Sequence, residues 1–254
     1  MGTYLYHTSC PVCGSKDNVA VYSDGYHCHT PGCTYSKWDK DAKKPPAPKK
    51  KTFKKKEDFF LGGYEDLIDR GISEETCRFW GYKVGYYENT DHTLTPIHIA
   101  NHHSSEGELV GQKLRTEKKN FKVIGDIATL YGKWLWSSGK YIVITEGELD
   151  ALAVSQIHNN KYPVVSIPHG SDSAEKYIRK DLKWLEDNFE KIVLMFDQDK
   201  AGKTAVDRVA PMFTPGKCFV AKLSEKDPCD MLLAGKVQEL ARAVFTATPF
   251  RPRS

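Results

Sequence analysis

"IVLMFDQDKAGKT", residues 192–204, decides the fold. Ile192 to Phe196 is an unbroken run of five apolar residues, too short for a buried helix, and it reads as a parallel strand buried on both faces. The Gly-Lys-Thr that follows resembles the end of a phosphate-binding loop, but Asp197 stands where that loop needs its first glycine. A carboxylate there repels phosphate, so the stretch reads as an acidic strand end. Asp197 and Asp199, two residues apart, are expected on one side at the carboxyl end of the strand, where open α/β sheets place ligands.

Two more runs of the same kind, "YIVIT" (141–145) and "PVVSI" (163–167), each lead through a polar loop into a helical stretch. The pattern predicts βα units and an α/β class. "YIVIT" ends in Glu146, and Glu146, Asp197 and Asp199 together make a hard-oxygen set suited to magnesium or manganese. Glu148 and Asp150 open the helix "ELDALAVSQI" and read equally well as first-turn acids. Asp227 in "KDPCD" is either another metal ligand or a turn acid. Upstream, "GYEDLIDRGISEETCRFWGY" (63–82) predicts two short helices, the second capped by Ser73, and "YKVGYYE", "LTPIHIA" and "ELVGQKLRT" predict a small antiparallel sheet. "GQKLRTEKKNFK" (111–122) puts Lys113 and Arg115 on one strand face, with Lys118, Lys119 and Lys122 in a following turn. Cations opposite a metal site suit triphosphate binding and transfer.

Four of the seven cysteines fall in two close pairs, Cys10 with Cys13 and Cys28 with Cys33, beside Pro11, Gly14, Pro31 and Gly32 that permit tight turns. This is the spacing of a four-thiolate zinc ribbon in a reducing compartment, with His27 or His29 as alternative ligands. Asp24, Tyr26, His27 and Trp38 around it are of the types that stack on and hydrogen-bond to unpaired bases. "KKPPAPKKKTFKKK" (43–56) carries eight lysines and no acid, so removing it takes the net charge from +4 to −4. A basic, proline-extended tether beside an acidic body points to nucleic acid. The predicted organisation is a ribbon (1–40), a linker (41–58), a mixed α/β part (59–140) and a parallel-sheet part (141–254). No apolar run approaches the roughly 18 residues that span a bilayer, and the amino terminus lacks a signal core, so a cytoplasmic location is expected.

"VITEGELDAL" and "LMFDQDKAG" resemble the Toprim domain shared by topoisomerases and primases. With the leading ribbon and "VGQKLRTEKKNFK", the chain is similar to the primase halves of phage primase-helicases of the T-seven type. The resemblance implies a DNA primase, a nucleotidyltransferase joining ribonucleoside triphosphates on single-stranded DNA. It implies zinc on Cys10, Cys13, Cys28 and Cys33, catalytic magnesium on Glu146, Asp197 and Asp227 with Asp199 in support, and nucleotides on Lys113, Arg115 and Lys122. A helicase, in trans or in a longer native chain, and a DNA polymerase for primer hand-off are the implied partners, in the cytoplasm of an infected host. A Toprim nuclease and a non-enzymatic single-strand-binding module are the alternatives.

Overall fold

The computed structural model describes residues 2–41, 43–45, 58–116 and 121–251. The chain divides into two compact units, Met1–Lys56 and Glu57–Ser254. In the first, β1 (Tyr4–Thr8), β2 (Val19–Tyr22), β3 (Gly25–Cys28) and β4 (Ser36–Trp38) form an antiparallel sheet in sequence order. Its core cluster has two buried aliphatic residues, Val19 and Val21, beside Cys10 and Cys28. Residues 43–45, within the predicted linker of 41–58, are hydrogen-bonded to this unit. Lys44 Nζ donates to the Ser23 carbonyl at 2.9 Å, and the Tyr6 hydroxyl donates to the Pro45 carbonyl at 2.6 Å. Most of the remaining linker lies outside the described residues.

In the second unit the first predicted helix is a single 3-10 turn, Ile68–Arg70. It stops there because Gly71 adopts a left-handed φ of 65° and its N–H closes on the Ile68 carbonyl. The second is α1 (Glu74–Trp80), capped by Ser73, whose side chain accepts the Thr76 N–H. Next comes an antiparallel meander of β5 (Tyr82–Glu88), β6 (Leu94–His103), β7 (Leu109–Thr116) and β8 (Phe121–Gly125). The turn predicted around Lys122 is therefore partly a fourth strand.

The parallel-sheet part runs β9 (Gly139–Thr145), α2 (Glu148–Ile157), β10 (Val164–Ser166), α3 (Ala174–Asn188), β11 (Phe189–Met195), α4 (Lys200–Val209) and β12 (Cys218–Val220). It ends with α5 (Pro228–Leu233), α6 (Val237–Phe245) and the short β13 (Thr248–Pro249). Sheet order is β10-β9-β11-β12-β13, parallel except for the antiparallel edge β13. The boundary predicted after residue 140 falls inside β9, after its second residue. Both sheet faces are covered, which is why the strands read as continuous apolar runs. Ile142, Ile144, Ile192 and Leu194 pack with Tyr177 of α3 and Ala205 of α4. Val143, Val193 and Met195 pack with Leu152 of α2, Met231 of α5 and Leu240 of α6.

Candidate active site

The four ribbon cysteines converge. Their sulfurs all lie within 4.8 Å of one another, with Cys10 Sγ to Cys33 Sγ at 3.6 Å and Cys13 Sγ to Cys28 Sγ at 3.7 Å. A tetrahedron of thiolates about 2.3 Å from zinc has edges of about 3.8 Å, so the cluster fits that ion. Hydrogen bonding from Ser15 and then Thr30 holds the Cys13 thiol down to about 5, whereas Cys33, against the lowering effect of a Tyr35 backbone hydrogen bond, is pushed up to about 12 by burial and its neighbouring cysteines, so the geometry of the four sulfurs carries the metal reading. His27 and His29 are not part of this cluster.

Strand periodicity sorts the proposed base readers. Tyr26 pairs with Val21 across β2 and β3 and packs on Tyr35 at 4.9 Å, so it is a ring of the small ribbon core. His27 and Trp38 lie on the opposite face, where Trp38 is 53% exposed and sits 5.4 Å from Tyr22, itself 6.0 Å from Tyr4. Tyr4, Tyr22 and His7, for which the alternation in β1 and β2 was the available sequence signal, extend this open face, as does His29, considered from sequence only as a zinc ligand. Asp24, in the β2–β3 turn, keeps a buried Oδ1 with no hydrogen-bond partner among the described residues.

In the second unit, the carboxyl ends of β9 and β11 open into a cleft of ≈ 590 Å³ lined by Glu146, Glu148, Asp150, Asp197 and Asp227. Burial raises the pKa of Glu146 and of Asp197. Burial, then the charges of Asp227 and Asp197, pushes Asp150 up to about 8. Among the described residues Glu146 Oε2 is buried without a hydrogen-bond partner, and Asp197 Oδ2 is 2.8 Å from Lys226 Nζ. Carboxylates crowded in this way, with an orphaned oxygen among them, are a donor set for hard divalent ions. Asp227 caps α5 with Oδ1, accepting the Asp230 N–H at 2.8 Å, and lies with Asp150 and Cys229 in a group whose ligand atoms fall within 4.8 Å.

Asp199 is placed differently from the sequence expectation. β11 ends at Met195, the chain turns, and Asp199 becomes the N-cap of α4, its Oδ1 accepting the Gly202 N–H at 2.9 Å. It does not line the cleft. Gly202 is required because a Cβ there would come within 2.2 Å of the Asp197 carbonyl, so this glycine serves close packing and not phosphate. Asp199→Ser keeps a cap and removes the carboxylate. Unchanged melting with unchanged turnover is the expected result, and a turnover loss above tenfold would restore Asp199 as a metal ligand.

The Asp150 shift has a measurable sign. Between about pH 4 and pH 8 the folded state retains a proton that the unfolded state has released, so stability falls as pH rises through that window. Asp150→Asn removes the effect. In magnesium-free buffer the zinc-loaded variant is expected to melt above the native protein by at least about 4 °C at pH 8.5 and level with it near pH 4. Parallel melting curves across pH would contradict this.

Above the carboxylates stands the meander. Lys113 and Arg115 project from one face of β7 and line the cleft. Lys113 Nζ lies 2.9 Å from both carboxylate oxygens of Glu148 and donates to the Pro168 carbonyl at 2.6 Å. Glu148, left open from sequence, is therefore a buried anchor for Lys113, at the start of a helix as predicted. Lys122 pairs with Leu114 and so shares the other sheet face with buried Leu114 and Ile124; it does not line the cleft. Lys118 lies outside the described residues, as does Lys119. Arg70, His169 and Lys226 also line the cleft, and nothing local in the sequence marked them.

Two family models match the second unit: residues 62–125 match "Bacteriophage T7 DNA helicase/primase, N-terminal a+b fold", and residues 143–232 match "Toprim-like". The chain is 36% identical to the DNA helicase/primase of Enterobacteria phage T3 across 98% of its own length, and spans 45% of that protein. It is 36% identical to the primase fragment of the bacteriophage T7 primase-helicase, with a TM-score of 0.69 over 95% of this chain and 100% of that fragment. It is 40% identical, again with a TM-score of 0.69, to a chain of a complex of the T7 lagging-strand DNA polymerase with primase domains bound to an RNA/DNA hybrid; 74% of this chain and 94% of that one are covered. The DnaG catalytic core, at 17% identity and a TM-score of 0.55 over 72% of each chain, shares the fold. A single relative thus matches nearly the whole chain at 36% identity, and this chain belongs to the primase family represented by the T7 primase fragment.

Proposed function

We propose that this chain is a DNA primase that joins ribonucleoside triphosphates into short RNA on a single-stranded DNA template. The observation that carries the reading is the cleft itself, in which Lys113 and Arg115 face Glu146, Asp197 and Asp227. Anion-binding cations and cation-binding carboxylates facing one another suit a metal-neutralised triphosphate. In this reading Lys113, held by Glu148, and Arg115 take the triphosphate oxygens, and the 3′-hydroxyl of one ribonucleotide attacks the α-phosphate of the next with pyrophosphate as leaving group. Glu146, Asp197 and Asp227, with Asp150 beside them, would hold magnesium or manganese. When bound, these ions supply the Lewis acidity that lowers the hydroxyl pKa and offsets charge on the phosphates.

Zinc in the ribbon is structural, and the open ribbon face carrying His27 and Trp38 reads unpaired template bases. A replicative helicase, in trans or in a longer chain, and a DNA polymerase receiving the primer are the proposed partners. Host cytoplasm is the proposed location; among the described residues no helix is long and apolar enough to cross a membrane. A Toprim nuclease would use the same carboxylates. Ribonucleotide incorporation on mixed single-stranded templates with magnesium separates the two: short RNA products support the primase, whereas DNA cleavage without RNA supports the nuclease.

A further inference from the structure

Between the cations of the cleft stands an apolar strip that phosphate and metal chemistry does not use. Phe121 and Val123 lie on β8 opposite Arg115 and Lys113, share their sheet face, and line the same cleft as Glu146 and Asp197. They are 55% and 40% exposed. The neighbouring Ile124, turned to the other face, is 3% exposed in a core with Leu114, so the strand has an apolar interior available that Phe121 and Val123 do not enter. The Phe121 ring is held in place from its own side of the cleft: Lys113 Nζ is 5.0 Å and Arg115 Cζ 5.8 Å from its centroid. A fixed, exposed ring beside the groups that take a triphosphate is placed for the flat end of the same molecule.

Resting on the primase reading, we propose that Phe121, backed by Val123, is the shelf on which the nucleobase of a bound ribonucleoside triphosphate stacks. Stacking is tolerant of base identity, because every base presents a π-face, as a polymerase copying any template requires. Purines, with the larger face, gain most from it.

The test compares binding of ATP, UTP and inorganic triphosphate, and steady-state primer synthesis, for the native chain and for Phe121→Ala, Phe121→Trp and Val123→Ala. Phe121→Ala is expected to weaken ATP binding about tenfold or more, UTP less, and inorganic triphosphate not at all. KM for ATP rises in step with little change in kcat, the mark of lost uniform binding. Phe121→Trp restores ATP binding, and Val123→Ala shows a smaller loss of the same pattern. If Phe121→Ala weakens inorganic triphosphate as much as ATP, the ring only orders Lys113 and Arg115 and the shelf is overturned. Unchanged ATP binding overturns it as well. A native chain that binds no nucleotide and makes no RNA removes the primase reading and the shelf together, an outcome distinct from the other two.

Discussion

Asp197→Asn is expected to cut ribonucleotide incorporation by about a thousandfold while the protein stays folded. Asn matches Asp in shape, and its amide oxygen can still accept from Lys226, so packing at the end of β11 is preserved. What is lost is one unit of negative charge in a cleft where Glu146, Asp150 and Asp227 are arranged around it. Loss of a single preorganised electrostatic group in a reaction centre costs about 10²–10³ in rate, and a group that also holds an ion costs more. Stability should hold or rise, because burial opposes the Asp197 charge more than the Lys226 ammonium favours it, and the Asp227 and Asp199 charges add to that opposition. Initial rates of primer synthesis and a melting curve check both halves. Activity within tenfold of native would place the chemistry elsewhere.

The second large effect is expected from Cys28→Ser or from a zinc chelator. Among the described residues two valines are the only buried aliphatic residues in the ribbon's core cluster, whereas the second unit has three hydrophobic clusters of its own. Structural zinc contributes on the order of 10–16 kcal/mol to such modules, more than this core can replace. Amide protection in residues 2–41 should collapse on zinc removal, and template-directed synthesis should fall to a few per cent or less. The melting transition of the second unit should stay in place. Retained protection in the ribbon without zinc would show that the sheet folds on its own.

How far the sequence carries can be judged residue by residue. Glu146 and Asp197 were legible because the strands before them are buried on both faces, and the first charged residue after such a run stands at the ligand-binding edge. Asp199 was misplaced by extending strand periodicity past Met195, where the strand stops; the Asp199 to Gly202 spacing is that of a helix cap. Lys122 was misplaced for the opposite reason, since β8 was read partly as turn and its alternation was not applied. Tyr26 is a further case within the ribbon: aromatic type suggested base contact, and register turns the half-buried ring toward the core cluster. The anchoring of Lys113 by Glu148 joins residues 35 positions apart and depends on how the meander sits over the sheet. No local pattern carries that information.

The central claim is that the carboxylates of the parallel sheet and the cations of the meander act on one metal-bound ribonucleotide. Manganese is detectable by anomalous scattering, so a crystal of the protein soaked in manganese and a ribonucleoside triphosphate tests it directly. Anomalous peaks are expected among Glu146, Asp197 and Asp227, with the triphosphate against Lys113 and Arg115. Manganese elsewhere, or a nucleotide bound away from those cations, would contradict it.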